Sequence, residues 1–241
     1  MKMQYALVSN ERQEAQPNLT GKCQCCKSPV IAKCGDVRIW HWAHKTKLEC
    51  DSWWEESEWH RAWKGQFPKE WQEIIHKAEN NEKHIADVKV DQGYVIELQR
   101  SPIKSEERQS REAFYKKMIW VVDGTRRLKD KSKFLEYSMS VNGAAHVRKL
   151  RRDFDKCTLL REWSECTSTT FFDFNEDVLW VLLPRGLLPT VEERYVFITR
   201  RNLLIALLRA SPNEISFEKF LKDLAEVIVN GEKSLHHAKK K

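Results

Sequence analysis

Two acidic residues lie within consecutive apolar runs near the middle of the chain. Asp87 is part of HIADVKV (84–90), and Glu97 and Gln99 are part of YVIELQ (94–99). A buried carboxylate costs on the order of several kcal/mol unless it is paired, so two close together require a cation. Carboxylates of adjacent strands suit Mg²⁺ or Mn²⁺, which can activate water for attack on a phosphodiester. The alternative is that Asp87 ends a strand and Glu97 lies at the surface.

Gln99 stands at the position where such a metal site usually has a lysine. It lies two residues after Glu97 and therefore on the same face of a strand. A neutral amide can orient the attacking water and bind a phosphate oxygen, but it adds no positive charge. The metal must then provide more of the electrostatic stabilisation.

A helix is predicted immediately before these strands. The spacing of SWWEESEWHRAWKGQF (52–67) is helical, Asp51 or Ser52 is a suitable N-cap, and Pro68 follows the end. Tryptophans are concentrated here and just upstream. They could stack on bases, although the i,i+4 spacing of Trp59 and Trp63 favours packing. The concentrated tryptophans are Trp40, Trp42, Trp53, Trp54, Trp59, Trp63 and Trp71.

The same helix offers polar side chains on two different faces. Glu56, His60 and Lys64 share one stripe, whereas Glu58 shares its face with two small residues that suggest close packing against a sheet. Helix geometry does not let all of these side chains reach one metal ion. The choice between Glu56 and Glu58 as a ligand therefore stays open, and a solvated face is the alternative.

Most of the 7 cysteines lie near the amino-terminal end, with two histidines among them. Cys23 and Cys26 have Cys-x-x-Cys spacing, and His44 and Cys50 could complete a tetrahedral Cys₃His zinc site. The alternates for this ligand set are His41, Cys25 and Cys34. Because no secretory signal is recognisable, the pattern predicts a structural zinc knuckle in a cytoplasmic protein and not a disulfide framework. Unligated thiols are the alternative.

The elements that must position the acidic residues are predicted between residues 53 and 124. The helix is followed by three strands, a second helix and a fourth strand, which is the order αβββαβ. Turns are expected at Asn80-Asn81 and at Asp91-Gln92-Gly93, and Ser105 is expected to cap the second helix. The three strands, the second helix and the fourth strand are predicted at 70–79, 84–90, 94–99, 105–118 and 118–124.

A small β-rich subdomain is predicted before this core, over residues 1–52. Residues 3–8 have the composition of a strand, and residues 10–22 are loop-like. Residues 23–44 are expected to form two short strands around a turn at Gly35-Asp36.

After the core, which we place at 53–124, residues 125–241 are predicted to form a basic α+β region. Its elements are a charge-rich helix or linker at both 125–134 and 146–156, a hairpin over 169–184, a strand and apolar helix over 194–210, and a last amphipathic helix.

The charge of the chain favours a polyanionic partner. The formal net charge is +7, which suits nucleic acid, although a merely basic soluble protein is equally compatible with it. The residues expected to hold backbone phosphates without reading sequence are Arg148, Lys149, Arg151 and Arg152. No apolar run is long enough to predict a membrane span.

Several of these segments together resemble a known family. ESEWHRAWKGQF, HIADVKV, VIELQRSPIKSEERQSREAFY and MIWVVDG are similar, in this order, to the CoiA-like competence-protein nucleases of the PD-(D/E)XK phosphodiesterase superfamily. The HWAH step at His41–His44 also fits that family's cysteine knuckle. The resemblance covers about residues 20–124 and implies a restriction-endonuclease-like αβββαβ core.

The resemblance also implies roles for individual residues. Mg²⁺ or Mn²⁺ would be held by Asp87, Glu97 and Glu58, and the catalytic set would further include Gln99 and His60. The supporting residues would be Glu56, Lys64, Ser101, Arg111 and Tyr115. Arg111 and Tyr115 lie four residues apart on one helix face, where the arginine could bind a phosphate.

We therefore expect a metal-dependent nuclease acting on nucleic acid, with DNA favoured, in competence, recombination, defence or mobile-element processing. The alternative is a catalytically idle DNA-binding or recombination accessory protein. A protein partner or a homodimer is compatible with either function.

Overall fold

The computed structural model describes residues 3–46, 50, 56–78, 82–141, 144–189, 191, 193–211, 213 and 216–238, with side chains described as far as residue 230. The fold is mixed α/β, and the chain divides into two compact units, Met1–Lys89 and Val90–Lys241. The expected cap at Asp51 or Ser52 and the turn at Asn80-Asn81 lie outside the described residues, as do Trp53 and Trp54.

The first unit begins with a curled antiparallel sheet. Its strands are β1 (Tyr5–Val8), β2 (Glu11–Glu14), β3 (Thr20–Lys22), β4 (Pro29–Lys33) and β5 (His41–His44), in the spatial order β2-β1-β3-β4-β5. Met3 and Trp42 exchange backbone hydrogen bonds of 3.1 and 2.8 Å, so the chain just before β1 also reaches β5. Trp42 is fully buried in the core of this sheet, and its Nε1 donates to the carbonyl of Gln13 at 2.9 Å.

The loop predicted over residues 10–22 is wrong, because this segment contains β2 and β3. Ser9 and Asn10 both adopt positive φ, at 50° and 68°, and reverse the chain so that Glu11–Glu14 pairs with β1. The side chains of β2 are mostly exposed at the edge of the sheet. An edge strand can be polar on both faces, which is why its composition resembles that of a loop.

The first unit continues with α1 (Glu58–Lys64) and the antiparallel pair β6 (Gln72–Lys77) and β7 (Lys83–Lys89). The helix predicted over 52–67 is too long, because Ser57 is the N-cap and its Oγ accepts a hydrogen bond from the backbone N–H of His60. A serine is a favoured N-cap, so the helix begins after it. Glu56 therefore precedes the helix.

The tryptophans of this unit serve mainly in packing. Trp42 and Trp63 are buried, and the rings of Trp59 and Trp63 meet edge to face with centroids 6.4 Å apart. Trp40 is the exception, with 45% of its surface exposed.

The second unit is built on a large mixed sheet, in which its own strands follow the order β10-β11-β14-β13-β12-β9-β8. The elements are β8 (Val95–Gln99), α2 (Ser105–Tyr115), β9 (Met118–Asp123), α3 (Asp130–Glu136), β10 (Ser138–Val141), β11 (Ala144–Leu150), α4 (Thr158–Trp163), β12 (Thr169–Asp173), β13 (Val178–Leu182), β14 (Tyr195–Arg200), α5 (Arg201–Arg209) and α6 (Phe217–Ala238). Strands β8, β9 and β12 run parallel, and the remaining pairings are antiparallel.

Two predictions in this unit are wrong. Of the helix or linker expected over 146–156, residues 146–150 instead belong to β11, which pairs with both β10 and β14 and is therefore an inner strand. Its basic residues hid the strand pattern, because long arginine and lysine stems can cover a sheet while their charges stay in contact with polar groups. In addition, Lys104 and not Ser105 is the N-cap of α2.

Other predicted features are confirmed. The turn before β8 closes with a hydrogen bond of 2.8 Å from Gly93 N–H to the Val90 carbonyl, and Gly93 has φ 81°, a conformation that glycine tolerates best. The hairpin of β12 and β13 turns through Asn175, at φ 59°. Strand β14 leads directly into α5. Among the described helices, none is both long enough and apolar enough to cross a membrane.

Candidate functional site

Four ligand atoms of the first unit converge on one point. The Sγ atoms of Cys23, Cys26 and Cys50 and a ring nitrogen of His44 all lie within 4.8 Å of one another. The Cys23 and Cys50 sulfurs are 3.6 Å apart, and Cys26 Sγ is 3.2 Å from His44 Nε2. Tetrahedral zinc with Zn–S bonds of about 2.3 Å places its ligand atoms roughly 3.5–3.8 Å apart. This Cys₃His cluster could hold a structural metal such as zinc.

The turn that carries the first two cysteines is shaped for thiolate ligands. Cys23 N–H donates to the Ser28 carbonyl at 2.8 Å, and Lys27 N–H donates to the Cys23 carbonyl at 3.0 Å. The hydrogen bond with the Cys50 thiol lowers the pKa of Cys23 to about 5 against the effect of burial, and the backbone N–H groups of Cys26 and Cys25 act in the same direction. A thiolate is the form that binds zinc.

The three alternates for the ligand set lie outside this cluster. Successive side chains of a strand point to opposite faces, so His41 and His44 of β5 face different sides. The Nδ1 atom of His41 lies within hydrogen-bonding distance of the Ile39 carbonyl oxygen, at 2.9 Å. Cys25 and Cys34 do not belong to the converging group either. Among the described residues, no other group of three or more histidine, cysteine, aspartate or glutamate ligand atoms is close enough to share an ion.

A second polar cluster of the first unit surrounds a fully buried lysine. Lys64 at the end of α1 forms ion pairs with Glu56 at 2.5 Å and with Glu73 at 2.9 Å. Burial alone would lower the pKa of Lys64, but the carboxylates of Glu73, Glu56 and Asp87 raise it above its usual value. Burial raises the pKa of Glu56, with the Lys64 charge opposing it. The ammonium group is therefore charged and is surrounded by three acidic residues.

The structure groups Glu56, and not Glu58, with Lys64 and Asp87. Glu56 is buried and also accepts a hydrogen bond from Arg61 Nε at 3.1 Å. Glu58 is exposed and lines an open groove beside the loop that leads into β5, so the expected close packing of its face against a sheet is wrong. Ala62 and Gly65, the small residues that share the face of Glu58, are exposed as well, so this face of α1 lies toward solvent.

Asp87 and His60 are both buried in the first unit. Asp87 lies near the middle of β7 and is only 6% exposed. His60 lies on α1, and its Nδ1 is 2.7 Å from Ser57 Oγ. Its hydrogen bond with the helix cap gives His60 a structural task at the start of α1.

In the second unit, Glu97 and Gln99 are buried on β8. They lie on the same face of the strand, as the sequence predicts. Gln99 Nε2 donates to the carbonyl of Ser101 at 2.8 Å and approaches its Oγ at 3.4 Å. These bonds hold the amide at the carboxyl end of the strand.

Arg111 reaches Glu97 from α2. Its Nη1 is 3.2 Å from Glu97 Oε2, and its Nη2 is 2.5 Å from Glu107 Oε1. The guanidinium carbon also lies 5.9 Å from the ring of Trp120. Tyr115 is buried one helical turn further along. Arg111 thus pairs with a predicted metal ligand; the family resemblance implies a supporting place for it beside the site, whereas spacing alone does not predict the ion pair.

The predicted phosphate-binding residues differ from one another in the structure. The guanidinium of Arg148 forms hydrogen bonds within the protein. Its Nε donates to Ser138 Oγ at 2.8 Å, and its Nη2 donates to the Leu135 carbonyl at 3.0 Å. Lys149 pairs with Glu193 at 2.9 Å. Arg151 and Arg152 are exposed, and Arg151 pairs with Asp153 at 3.2 Å.

Sequence reasoning missed Glu73, which is 1% exposed and accepts hydrogen bonds from four partners. It has φ 50°, a backbone conformation that costs a non-glycine residue about 1–3 kcal/mol. The available signal was its place in EWQEII, directly before the apolar pair Ile74-Ile75 of a predicted strand.

Comparison with known families identifies the segment that contains the metal ligands. Residues 9–52 match the family described as Competence protein CoiA, N-terminal domain. All four converging ligands, Cys23, Cys26, His44 and Cys50, lie within this range. The match covers less than half of the chain, so it applies to this segment. No curated protein and no solved structure matched the chain.

Proposed function

We propose that this chain is a Mg²⁺- or Mn²⁺-dependent nuclease, a hydrolase that cuts phosphodiester bonds in nucleic acid, with DNA as the first substrate to test. The match of residues 9–52 to a competence protein family supports a role in the uptake or processing of DNA. The net charge of +7 is suited to a polyanionic substrate.

One observation carries this proposal. The elements α1, β6, β7, β8, α2 and β9 follow the helix-strand order of the αβββαβ nuclease core, and the acidic residues of consecutive strands, Asp87 and Glu97, are both buried. Burying carboxylates on two successive strands is costly even where, as here, Lys64 and Arg111 balance their charges. A metal-binding role explains why these positions are acidic.

Each residue then has a chemical task. Asp87 and Glu97 would bind the divalent ion through oxygen atoms, which are the ligands that Mg²⁺ prefers. Bound there, the ion would lower the pKa of a water molecule and polarise the phosphate. Gln99 would orient the water. Glu56 is better situated than Glu58 to assist, because it shares Lys64 with Asp87.

The test is a panel of end-labelled single- and double-stranded DNA and RNA, incubated with Mg²⁺, Mn²⁺ or EDTA. We expect cleavage of at least one substrate with Mg²⁺ or Mn²⁺ and none with EDTA. Circular substrates would distinguish endonuclease from exonuclease action. Intact substrates throughout, with protein that contains its zinc, would contradict the proposal.

A second candidate is a DNA-binding accessory protein without catalysis. The ion pair between Arg111 and Glu97 favours this candidate, because the guanidinium already pairs with a carboxylate that a metal ion would need as a ligand. Gln99 at the usual lysine position points the same way. Salt-dependent DNA binding without cleavage in the same panel would support this candidate over the first.

A further inference from the structure

Glu73 joins two parts of the first unit that the sequence separates widely. On one side it accepts hydrogen bonds from the curled sheet, and on the other it pairs with α1. Its four partners are Gln4 N–H at 3.0 Å, Tyr5 N–H at 3.1 Å, Gln24 Nε2 at 3.3 Å and Lys64 Nζ at 2.9 Å.

One partner on the sheet side lies within the Cys₃His cluster's own turn. Gln24 follows the metal ligand Cys23 directly and lies inside the Cys-x-x-Cys turn. Its Nε2 also lies 3.4 Å from the Tyr5 carbonyl, which links the turn to β1. A segment this small lacks a large core, so metal binding fixes the positions of its side chains. Gln24, one of the donors that reach Glu73, therefore lies in the turn that a bound metal would fix.

The partner on the other side leads to Asp87. Lys64 pairs with Glu73, and its charge also interacts with the Asp87 carboxylate. The strand register agrees: Gln72 pairs with Val88 and Ile74 with Ala86, so Glu73 lies opposite Asp87. The Glu73 carboxylate thus contacts both Gln24 of the Cys-x-x-Cys turn and Lys64, whose charge interacts with Asp87.

The backbone of Glu73 is strained in a way that suits this function. Its φ of 50° lies in the left-handed region, although its neighbours in β6 belong to an ordinary antiparallel pair. A non-glycine residue keeps such a conformation only where its surroundings enforce it, and such residues are concentrated at functional sites. The four hydrogen-bond partners of the carboxylate provide that enforcement.

We propose that Glu73 is a positioning residue that couples the Cys₃His metal site to Asp87 through Lys64. Metal binding at the knuckle orders Gln24 and Tyr5, these hold the Glu73 carboxylate, and Glu73 fixes the ammonium group beside Asp87. Coupling free energies are reciprocal, so a change at Glu73 must also weaken the knuckle's affinity for zinc. The catalytic meaning of Asp87 rests on the nuclease proposal, but the coupling itself does not.

The experiment compares the zinc-loaded full chain with two variants, Glu73→Gln and the matched control Glu70→Gln. Glu70 is exposed and lies three residues away, so it tests for a mere change of charge. Zinc affinity is measured by competition with a chromophoric chelator. Hydrogen–deuterium exchange of peptides covering Lys83–Lys89 is measured with and without zinc. Neither measurement involves cleavage, so failure of the nuclease proposal would not be mistaken for failure of this one.

For the unmodified chain, we expect zinc removal to increase exchange in Lys83–Lys89. Glu73→Gln should weaken zinc binding by about tenfold and should increase exchange with zinc present, after which zinc removal adds little. Such non-additivity is the mark of coupling, whereas two independent destabilising changes would add. Glu70→Gln should behave as the unmodified chain.

Exchange in Lys83–Lys89 that does not respond to zinc, or additive effects of zinc removal and Glu73→Gln, would overturn the proposal. If Glu73→Gln does not fold, Gln24→Leu decides, because it removes only one of the four bonds. Like Glu73→Gln, Gln24→Leu should weaken zinc binding and increase exchange in Lys83–Lys89, but by a smaller factor. A folded Gln24→Leu protein with unchanged zinc affinity and exchange would also refute the coupling.

Discussion

At the scale of single residues, spacing predicted the metal cluster better than it predicted the carboxylates around Lys64. Cys23, Cys26, His44 and Cys50 converge because a tight Cys-x-x-Cys turn and the face of one strand leave few arrangements. The acidic residues were harder, since the position of Glu56 or Glu58 depends on the first residue of α1. Glu73 could not be found by motif, because two of its four partners are backbone N–H groups 69 and 68 residues away in sequence.

The metal cluster leads to a prediction at this scale. Purified, reduced protein should contain about one zinc ion per chain, since four N and S ligands complete a structural site. Cys26→Ser should lose the ion and unfold at a lower temperature, because it removes a ligand. Elemental analysis and thermal unfolding provide the measurements.

Two variants serve as controls for that experiment. His41→Ala and Cys34→Ser remove residues that resemble ligands in the sequence but lie outside the converging group. Both should retain zinc. Loss of zinc from either of them, with retention in Cys26→Ser, would mean that the ligand set is different.

At the scale of elements, apolar patterns predicted most of the inner strands and the αβββαβ order, whereas charge obscured strands elsewhere, including the inner strand β11. β2 is polar because it lies at an edge, and β11 is basic because its long side chains bond to neighbouring segments. Neither has the apolar alternation by which strands are recognised from sequence. The helix over 52–67 was overestimated because a helical period continues through residues on both sides of a serine cap.

Strand β11 leads to a prediction about the basic residues. Arg148→Ala should destabilise the protein by about 2 kcal/mol, because its guanidinium bonds Ser138 and the Leu135 carbonyl between α3 and β10. Its effect on the salt dependence of DNA binding should be small. Chemical denaturation and binding titrations at several salt concentrations measure the two effects.

The matched variant is Arg152→Ala, at an exposed arginine four residues away. It should leave stability unchanged and flatten the salt dependence if it contacts a phosphate. The reverse pattern, with Arg148→Ala stable and deficient in binding, would show that Arg148 serves nucleic acid and not the fold.

At the scale of the whole molecule, composition indicated a basic globular chain and the order of predicted elements indicated the α/β class, with which the fold agrees. The match to the CoiA N-terminal domain ends at residue 52. Function beyond that point therefore depends on the chemistry of the buried acidic residues, Asp87 and Glu97. The sequence shows which strands carry these two residues. Spacing alone does not show that Arg111 pairs with Glu97 or that Lys64 interacts with the carboxylates of three acidic residues.

The most direct test of the nuclease proposal is the cleavage activity of Asp87→Asn beside Asp91→Asn, an exposed turn residue four positions away. Asparagine keeps the shape of the side chain, and Lys64 retains Glu56 and Glu73, so the variant should fold. We predict that Asp87→Asn binds DNA but reduces Mg²⁺-dependent cleavage to the level of the EDTA control, while Asp91→Asn cuts normally. Full Mg²⁺-dependent cleavage by purified Asp87→Asn protein would contradict the assignment of this residue and, with it, the proposed catalytic site.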